Sequence, residues 1–244
     1  MKKILVLGSN GATGRLVVEQ LLQQNCEVIA LVRPSSSLPS ELSSQGNLHI
    51  IKADITELPQ KDLIIHLQQC ETVICCLGHN LTFKGLFGHP RRLVTDAIKK
   101  VTSAIESIAP ENKIKIILMN TTGNSNRDIP EKPPFSQRAV IAILRLLLPP
   151  HVDNENAADF LRLKVAQHHD SIEWVAVRPD ALVDDDAVSD YELLNSPMRN
   201  AIFDAGSTSR INVANVMSRL VSDKALWNQW KGKMPVIYNR TSAT

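Results

Sequence analysis

The apolar positions of the chain follow two periods in alternation. Residues 4–7 are a continuous apolar run, the pattern of a strand covered on both faces in a parallel sheet. Beyond it Leu16, Val17, Gln20, Leu21 and Gln24 recur at helical spacing. The same change of period repeats along the chain. Residues 28–32, 48–52, 72–77, 114–119 and 173–177 read as further strands, with 235–239 as a short last one. Between them, 61–69, 91–108, 153–167 and 213–221 read as helices, and 41–45 has weak helical potential. In 91–108 the stripe of Leu93, Val94, Ala97, Ile98 and Val101 is the buried face. Trp227 and Trp230, three apart, fit a helix face packed on the core. Alternating strands and helices predict an α/β protein: a Rossmann-like, doubly wound parallel sheet in a three-layer αβα sandwich, with a small C-terminal lobe.

One segment interrupts the alternation. Residues 125–134 are polar and broken by prolines, and 135–148 follow as a strongly apolar helix. A helix of that length cannot span a bilayer, which needs about 20 residues. It is expected either to cover the substrate side as a lid or to form a subunit contact in a homodimer. A monotopic membrane contact is the third reading, for which the segment supplies only Arg138 and Arg145 as charge.

Composition narrows the classes. With 244 residues and 43% hydrophobic content, the chain can bury one large core and is read as a single domain over 1–244. A net charge of +2 argues against a dedicated nucleic-acid or acidic-membrane surface. No apolar run is long enough for a membrane span, and the Met-Lys-Lys start leads straight into the first strand, so a cytoplasmic protein is expected. Cys26, Cys70, Cys75 and Cys76 fit that setting; the adjacent Cys75 and Cys76 should face opposite sides of a strand as buried apolar residues. Asp184, Asp185 and Asp186 read as solvated loop, and no metal is expected.

Three glycines stand where the first strand gives way to the first helix. Gly8, Gly11 and Gly14 have G-x-x-G-x-x-G spacing. Gly8 permits a sharp turn, Gly11 lets backbone approach a pyrophosphate, and Gly14 lets helix and strand pack tightly. Unpaired N–H groups and the positive dipole end of the helix then favour phosphates, with Asn10, Ala12 and Thr13 completing the loop. A dinucleotide site is predicted over a cofactor part of about 1–123. NAD-binding members of such folds close the second strand with an acidic residue; here the sequence is Val32-Arg33-Pro34-Ser35. Arg33 can fork onto a 2′-phosphate, with Ser35 or Ser36 adding a hydroxyl. NADP(H) is therefore preferred, with NAD(H) the alternative. Asp54 and Ile55 fall where an adenine would lie, although Asp54 also suits the cap of the next turn. Leu77 and Gly78 close the fourth strand beside the cofactor. The loop beyond brings His79 and Asn80 toward the crevice as substrate-facing candidates, or His79 is simply a loop residue.

The fingerprint, Asp54, the glycine-ended fourth strand, Asn120-Thr121-Thr122-Gly123 and Val177-Arg178-Pro179 together resemble the short-chain dehydrogenase/reductase superfamily. More closely, they resemble its atypical NAD(P)-binding branch, which includes NmrA-like sensors and the biliverdin reductase B/flavin reductase type. The resemblance implies that Thr121 and Thr122 occupy the catalytic serine position and that Thr121, Pro179 and Leu182 border the nicotinamide. It also implies a small-molecule substrate held by 79–90, 124–154 and 179–212. The superfamily's Tyr-x-x-x-Lys pair is missing, since Asn195 stands four residues after Tyr191 and Tyr238 lies near the end. Two readings remain: hydride transfer to a small conjugated, quinone- or flavin-like acceptor, or cofactor binding without turnover as in a sensor. A sugar-nucleotide epimerase-like activity is disfavoured by the same missing pair. Biliverdin reductase B-like proteins carry a histidine on the following helix where this chain has Phe160; His151 is a nearby substitute, or a loop residue after two prolines.

Overall fold

A computed structural model describes residues 1–79, 88–131 and 134–240. Ten strands are described: β1 (Lys3–Leu7), β2 (Glu27–Val32), β3 (Leu48–Lys52), β4 (Thr72–Cys75), β5 (Ile114–Met119), β6 (Ile172–Pro179), β7 (Ala181–Val183), β8 (Tyr191–Leu194), β9 (Ser207–Ser209) and β10 (Val236–Asn239). Eight form one sheet in the order β3-β2-β1-β4-β5-β6-β10-β8, and β7 pairs with β9 apart from it. Pairing is parallel from β3 through β10, and β8 closes the edge antiparallel. The strand order reverses between β1 and β4, which is where such sheets open a crevice for a ligand.

Side chains alternate across the sheet, so its two faces make two cores. Leu5, Leu7, Val73, Ile116, Leu118 and Trp174 pack under α4 (Leu93–Ile108) and α6 (Pro149–Phe160). Ile4, Val6, Val28, Ile74, Ile117 and Val175 pack under α1 (Ala12–Gln23) and α7 (Arg210–Ser222). These are the three expected layers. Cys75 lies in the first core and Cys76 packs against the second, as the alternation requires. All four cysteines are free, and burial pushes the Cys70 and Cys75 thiols up to about 12.

The remaining helices are α2 (Ser40–Ser43), α3 (Gln60–Leu67), α5 (Phe135–Leu147) and α8 (Lys224–Trp230). Several boundaries differ from the periodic reading. Helix α6 starts at Pro149 rather than 153, because proline is accommodated in a first helical turn. It ends at Phe160 and passes into a π-helical turn, Leu161–Val165. Only Leu148 separates α5 from α6. Helix α7 begins at Arg210, where the Ser209 hydroxyl accepts the Asn212 N–H at 3.3 Å. Strands β7, β8 and β9 were not expected from the periodicity.

The 124–131 segment is tied down at its surface by the Arg127–Asp159 and Arg162–Asp128 pairs, each at 2.6 Å, and from beneath by a buried arginine. Arg178, fully buried at the end of β6, donates to Met234 O (2.7 Å), Asn124 O (2.9 Å) and Asn195 O (3.2 Å), and forks onto Glu131 at 2.7 and 3.1 Å. Glu131 Oε2 also accepts the Asn126 N–H at 2.7 Å. Among the described residues no helix is long and apolar enough to cross a membrane, and no cluster of His, Cys, Asp and Glu could hold a metal ion.

Candidate functional site

Register aligns the ends of the central strands. Leu7 pairs with Cys75, Cys75 with Leu118, and Leu118 with Ala176. Hence the residues just beyond, Gly8, Cys76 to Gly78, Asn120 to Gly123 and Pro179, share one edge of the sheet.

The glycine turn meets the steric demands read from its spacing. Gly8 has φ +75°, and a Cβ there would lie 2.6 Å from the Cys76 carbonyl oxygen. A Cβ on Gly14 would overlap the Gly8 carbonyl, whereas one on Gly11 would meet only that oxygen, at 3.2 Å. Gly11 is the N-cap of α1, with no side-chain cap and no acidic residue in the first turn. Buried Ser9 ties the turn to β2 by donating to Leu31 O at 2.9 Å. The result is an uncapped helix start with exposed backbone at Gly11 and Ala12, a cradle suited to an anion.

A cavity of about 270 Å³ opens beside this turn. It takes in nine of the residues singled out from the sequence: Gly8, Asn10, Gly11, Arg33, Asp54, Ile55, Leu77, Gly78 and His79. Of the two serines considered, the wall takes Ser36 rather than Ser35, and it adds Leu31, Val32, Ala53, Cys76, His89, Pro90 and Leu93. The apolar additions follow from the strand-end rule that found Ile55; His89 and Pro90 arrive over a loop that gives no periodic signal. Ala12, Thr13 and Gly14 lie in the first turn of α1, outside the wall. Arg33 is exposed, and among the described residues its guanidinium has no ion pair or hydrogen bond. Asp54 serves both readings: its Oδ1 accepts from the Thr56 N–H (2.9 Å) and hydroxyl (2.7 Å), and the residue also lines the cavity. A Cβ on Gly78 would meet open space. Asn80 lies outside the described residues.

His79 is no plain loop histidine. Its Nε2 stands 2.9 Å from Asp153 Oδ2, with the two side chains 5% and 0% exposed. Asp153 also accepts the N–H groups of Val94 (2.8 Å) and Thr95 (2.9 Å), capping α4 from α6. Burial works against the Asp153 charge, but the hydrogen bonds from His79, Thr95 and Val94 outweigh it and hold the carboxyl below its usual range. His79 thus lines the cavity while anchored to α6.

The other end of the edge gathers Thr121, Gly123 and His151. Seen from Gly123, a Cβ would lie 3.4 Å from His151 Cε1 and 3.6 Å from Thr121 Oγ1, so the two side chains flank that residue. Thr121 Oγ1 accepts the Gly123 N–H at 3.2 Å, leaving its proton able to donate. Asn120 holds this turn: its Oδ1 accepts the Thr121 N–H and its Nδ2 donates to Asn154 O on α6, each at 2.9 Å. The Thr122 hydroxyl is engaged elsewhere, donating to Asp180 Oδ1 at 3.1 Å. It faces a separate cavity of about 230 Å³ bounded by Glu131, Gln137, Met198 and Arg199. Pro179 is buried and Leu182 packs against the second core. His151 is nearly buried, with Nε2 3.4 Å from Glu155 Oε1 and without hydrogen-bond geometry. Burial raises the Glu155 pKa, yet His151 and the forked Arg145 (2.8 Å) reverse this and bring it to about 2. Asn120 belongs to the motif quoted from the sequence, but its bond to Asn154 and the Arg145 partner of Glu155 come from other elements and have no local signal.

Neither tyrosine stands with a lysine at this end. Tyr191 donates to Asn215 Oδ1 at 2.8 Å and accepts from Arg219 at 3.2 Å, against α7. Tyr238 is buried in β10, where desolvation raises its phenol pKa.

A parallel sheet with a glycine turn at its switch point, opening on an uncapped helix, defines a dinucleotide-binding protein of the Rossmann-like class. The model of the NAD(P)H-binding family matches residues 8–224, and the chain belongs to that family. An uncharacterized chloroplastic protein of Arabidopsis thaliana is 36% identical over 77 residues, 32% of this chain and 28% of that protein. A solved Bacillus halodurans protein named as an NAD-dependent epimerase/dehydratase shares the fold at TM-score 0.69 and 20% identity, covering 99% of this chain and 96% of its own. A Streptococcus pneumoniae protein named as an NADH-flavin reductase does so at TM-score 0.67 and 18% identity, covering 98% and 100%.

Proposed function

We propose that the protein is an NADP(H)-dependent oxidoreductase of the atypical short-chain dehydrogenase/reductase type, acting on a small conjugated, quinone- or flavin-like acceptor. The observation that carries this is the pairing of Arg33, unpartnered among the described residues at the nucleotide end, with Thr121 and His151, and no tyrosine–lysine pair, at the other. The cradle fits the cofactor, because the turn packs backbone on backbone at Gly8 and Gly14 and leaves the α1 start uncapped by any side chain. Bound there, NADP(H) supplies the hydride. The N–H groups of the first turn of α1 would hold the pyrophosphate, Arg33 and Ser36 would take the 2′-phosphate, and Ile55 and Asp54 would meet the adenine. At the reacting end the Thr121 hydroxyl donates to the nicotinamide amide or the acceptor. His151, which flanks Gly123 together with Thr121, supplies the proton that the acceptor takes up. A threonine alone is a poor acid, so acceptors whose reduced form gains charge on a delocalised oxygen or nitrogen suit this site better than isolated ketones.

NADPH oxidation over a panel of quinones, flavins and enals tests the reading. Consumption is expected with at least one quinone or flavin and none with aliphatic ketones, and His151→Asn should lower kcat by about 10²-fold, the low end for a general acid. NADPH bound tightly with no consumption on any acceptor would instead support a sensor.

A further inference from the structure

Helix α5 turns an apolar face to solvent. Phe135, Ile143 and Leu146 are 83%, 53% and 85% exposed, Ala139 and Ala142 are exposed between them, and Gln137 and Ile141 on the other side are buried. Positions 135, 139, 142, 143 and 146 fall on one stripe at helical spacing. Leu146 carries the stripe into a groove between α4 and α6, where Phe160 and Leu163 continue it.

Taken alone, the stripe has only Arg138 and Arg145 for charge. The fold supplies the rest. The groove, about 610 Å³, is walled by Arg91, Arg92, Lys99, Arg145 and Lys164 against the carboxylates of Asp153 and Asp159. Asp153 is buried under His79 and the start of α4. Asp159 is itself held by Arg127 (2.6 Å) and Arg162 (3.2 Å). Arg145 is forked onto Glu155 at 2.8 Å, and the exposed Asp96 stands 3.7 Å from Arg92, which leaves Lys99 and Lys164 as the basic rim's lysines. The overall charge of +2 averages this patch away.

We propose that α5 and the α4–α6 groove form a docking surface for an anionic lipid bilayer, with α5 lying in the interface plane. Phe135, Ile143 and Leu146 enter the headgroup–acyl boundary while Lys99, Lys164 and Arg92 meet lipid phosphates, the arrangement of a monotopic amphipathic helix. With 13 residues, α5 lies on the bilayer rather than across it. Charge separates this occupant from a second copy of the chain. A two-fold contact would set the basic rim of one copy against the same rim of the other, whereas anionic headgroups neutralise it.

The test is co-sedimentation of the full chain with vesicles of phosphatidylcholine alone or mixed with phosphatidylglycerol. Binding is expected only to the anionic vesicles, weakening as salt rises. Lys99→Gln/Lys164→Gln should weaken it about thirtyfold, and Phe135→Asp/Leu146→Asp should abolish it. Those positions are exposed, so an unchanged Tm and unchanged NADPH affinity keep the result separate from folding and from the nucleotide reading. No binding to anionic vesicles, binding indifferent to both double substitutions, or a dimer that Phe135→Asp/Leu146→Asp dissociates would each overturn the proposal.

Discussion

Replacing Glu131 with alanine is expected to lower the stability of the fold by about 3–5 kcal/mol, the cost of leaving a buried cation without its partner. Arg178 is fully buried and has no route to water; its other bonds, to the carbonyls of Met234, Asn124 and Asn195, do not neutralise it. The loss should also free the Asn126 N–H and loosen the 124–131 segment that leads into α5. Glu131→Gln keeps an acceptor and should cost less. Urea unfolding of both variants measures this, and a cost under about 1 kcal/mol for the alanine variant would show that the pair does not hold the segment.

Arg33→Ala is expected to weaken NADPH binding by about 1.5–3 kcal/mol, the range for a lost hydrogen bond to a charged group, while NADH binding changes little. That is a loss of roughly ten- to more than a hundredfold confined to the phosphorylated cofactor. The prediction is specific because Arg33 is exposed at the cavity wall and, among the described residues, is in no ion pair, not even with Asp54 of the same wall. Equal losses for both cofactors would mean that Arg33 reads something other than the 2′-phosphate. The cost to the fold should be small, since an exposed arginine carries little packing.

How legible these features were in the sequence depends on how local their causes are. The β1–Gly8–α1 unit could be read because turn, strand and helix are set by neighbouring residues, and the structure places those glycines against backbone as their spacing implied. Ile55, Leu77 and Gly78 were found because parallel strands end along one line. The misses have causes that lie far off in the chain. Strand β8 exists because Leu193 pairs with Ile237, some forty positions on, and its half-buried side chains show no clean period. The His79–Asp153 pair joins residues 74 apart, and the Arg178–Glu131 clamp 47 apart. Sequence spacing cannot show such contacts. The start of α6 was misplaced because two prolines resemble a break until the first is seen in the opening turn of the helix. Lys99 and Lys164 likewise belong to elements other than α5 and come to the groove beside it only through the fold.

The central claim is that an NADP(H) molecule docks at the start of α1 with its 2′-phosphate on Arg33. Isothermal titration of the purified chain with NADPH and, separately, NADH measures this most directly. Saturable binding of NADPH is expected, with NADH at least tenfold weaker, the discrimination that one charged hydrogen-bond partner provides. Absence of heat with NADPH, or equal affinity for the two nucleotides, would contradict the claim.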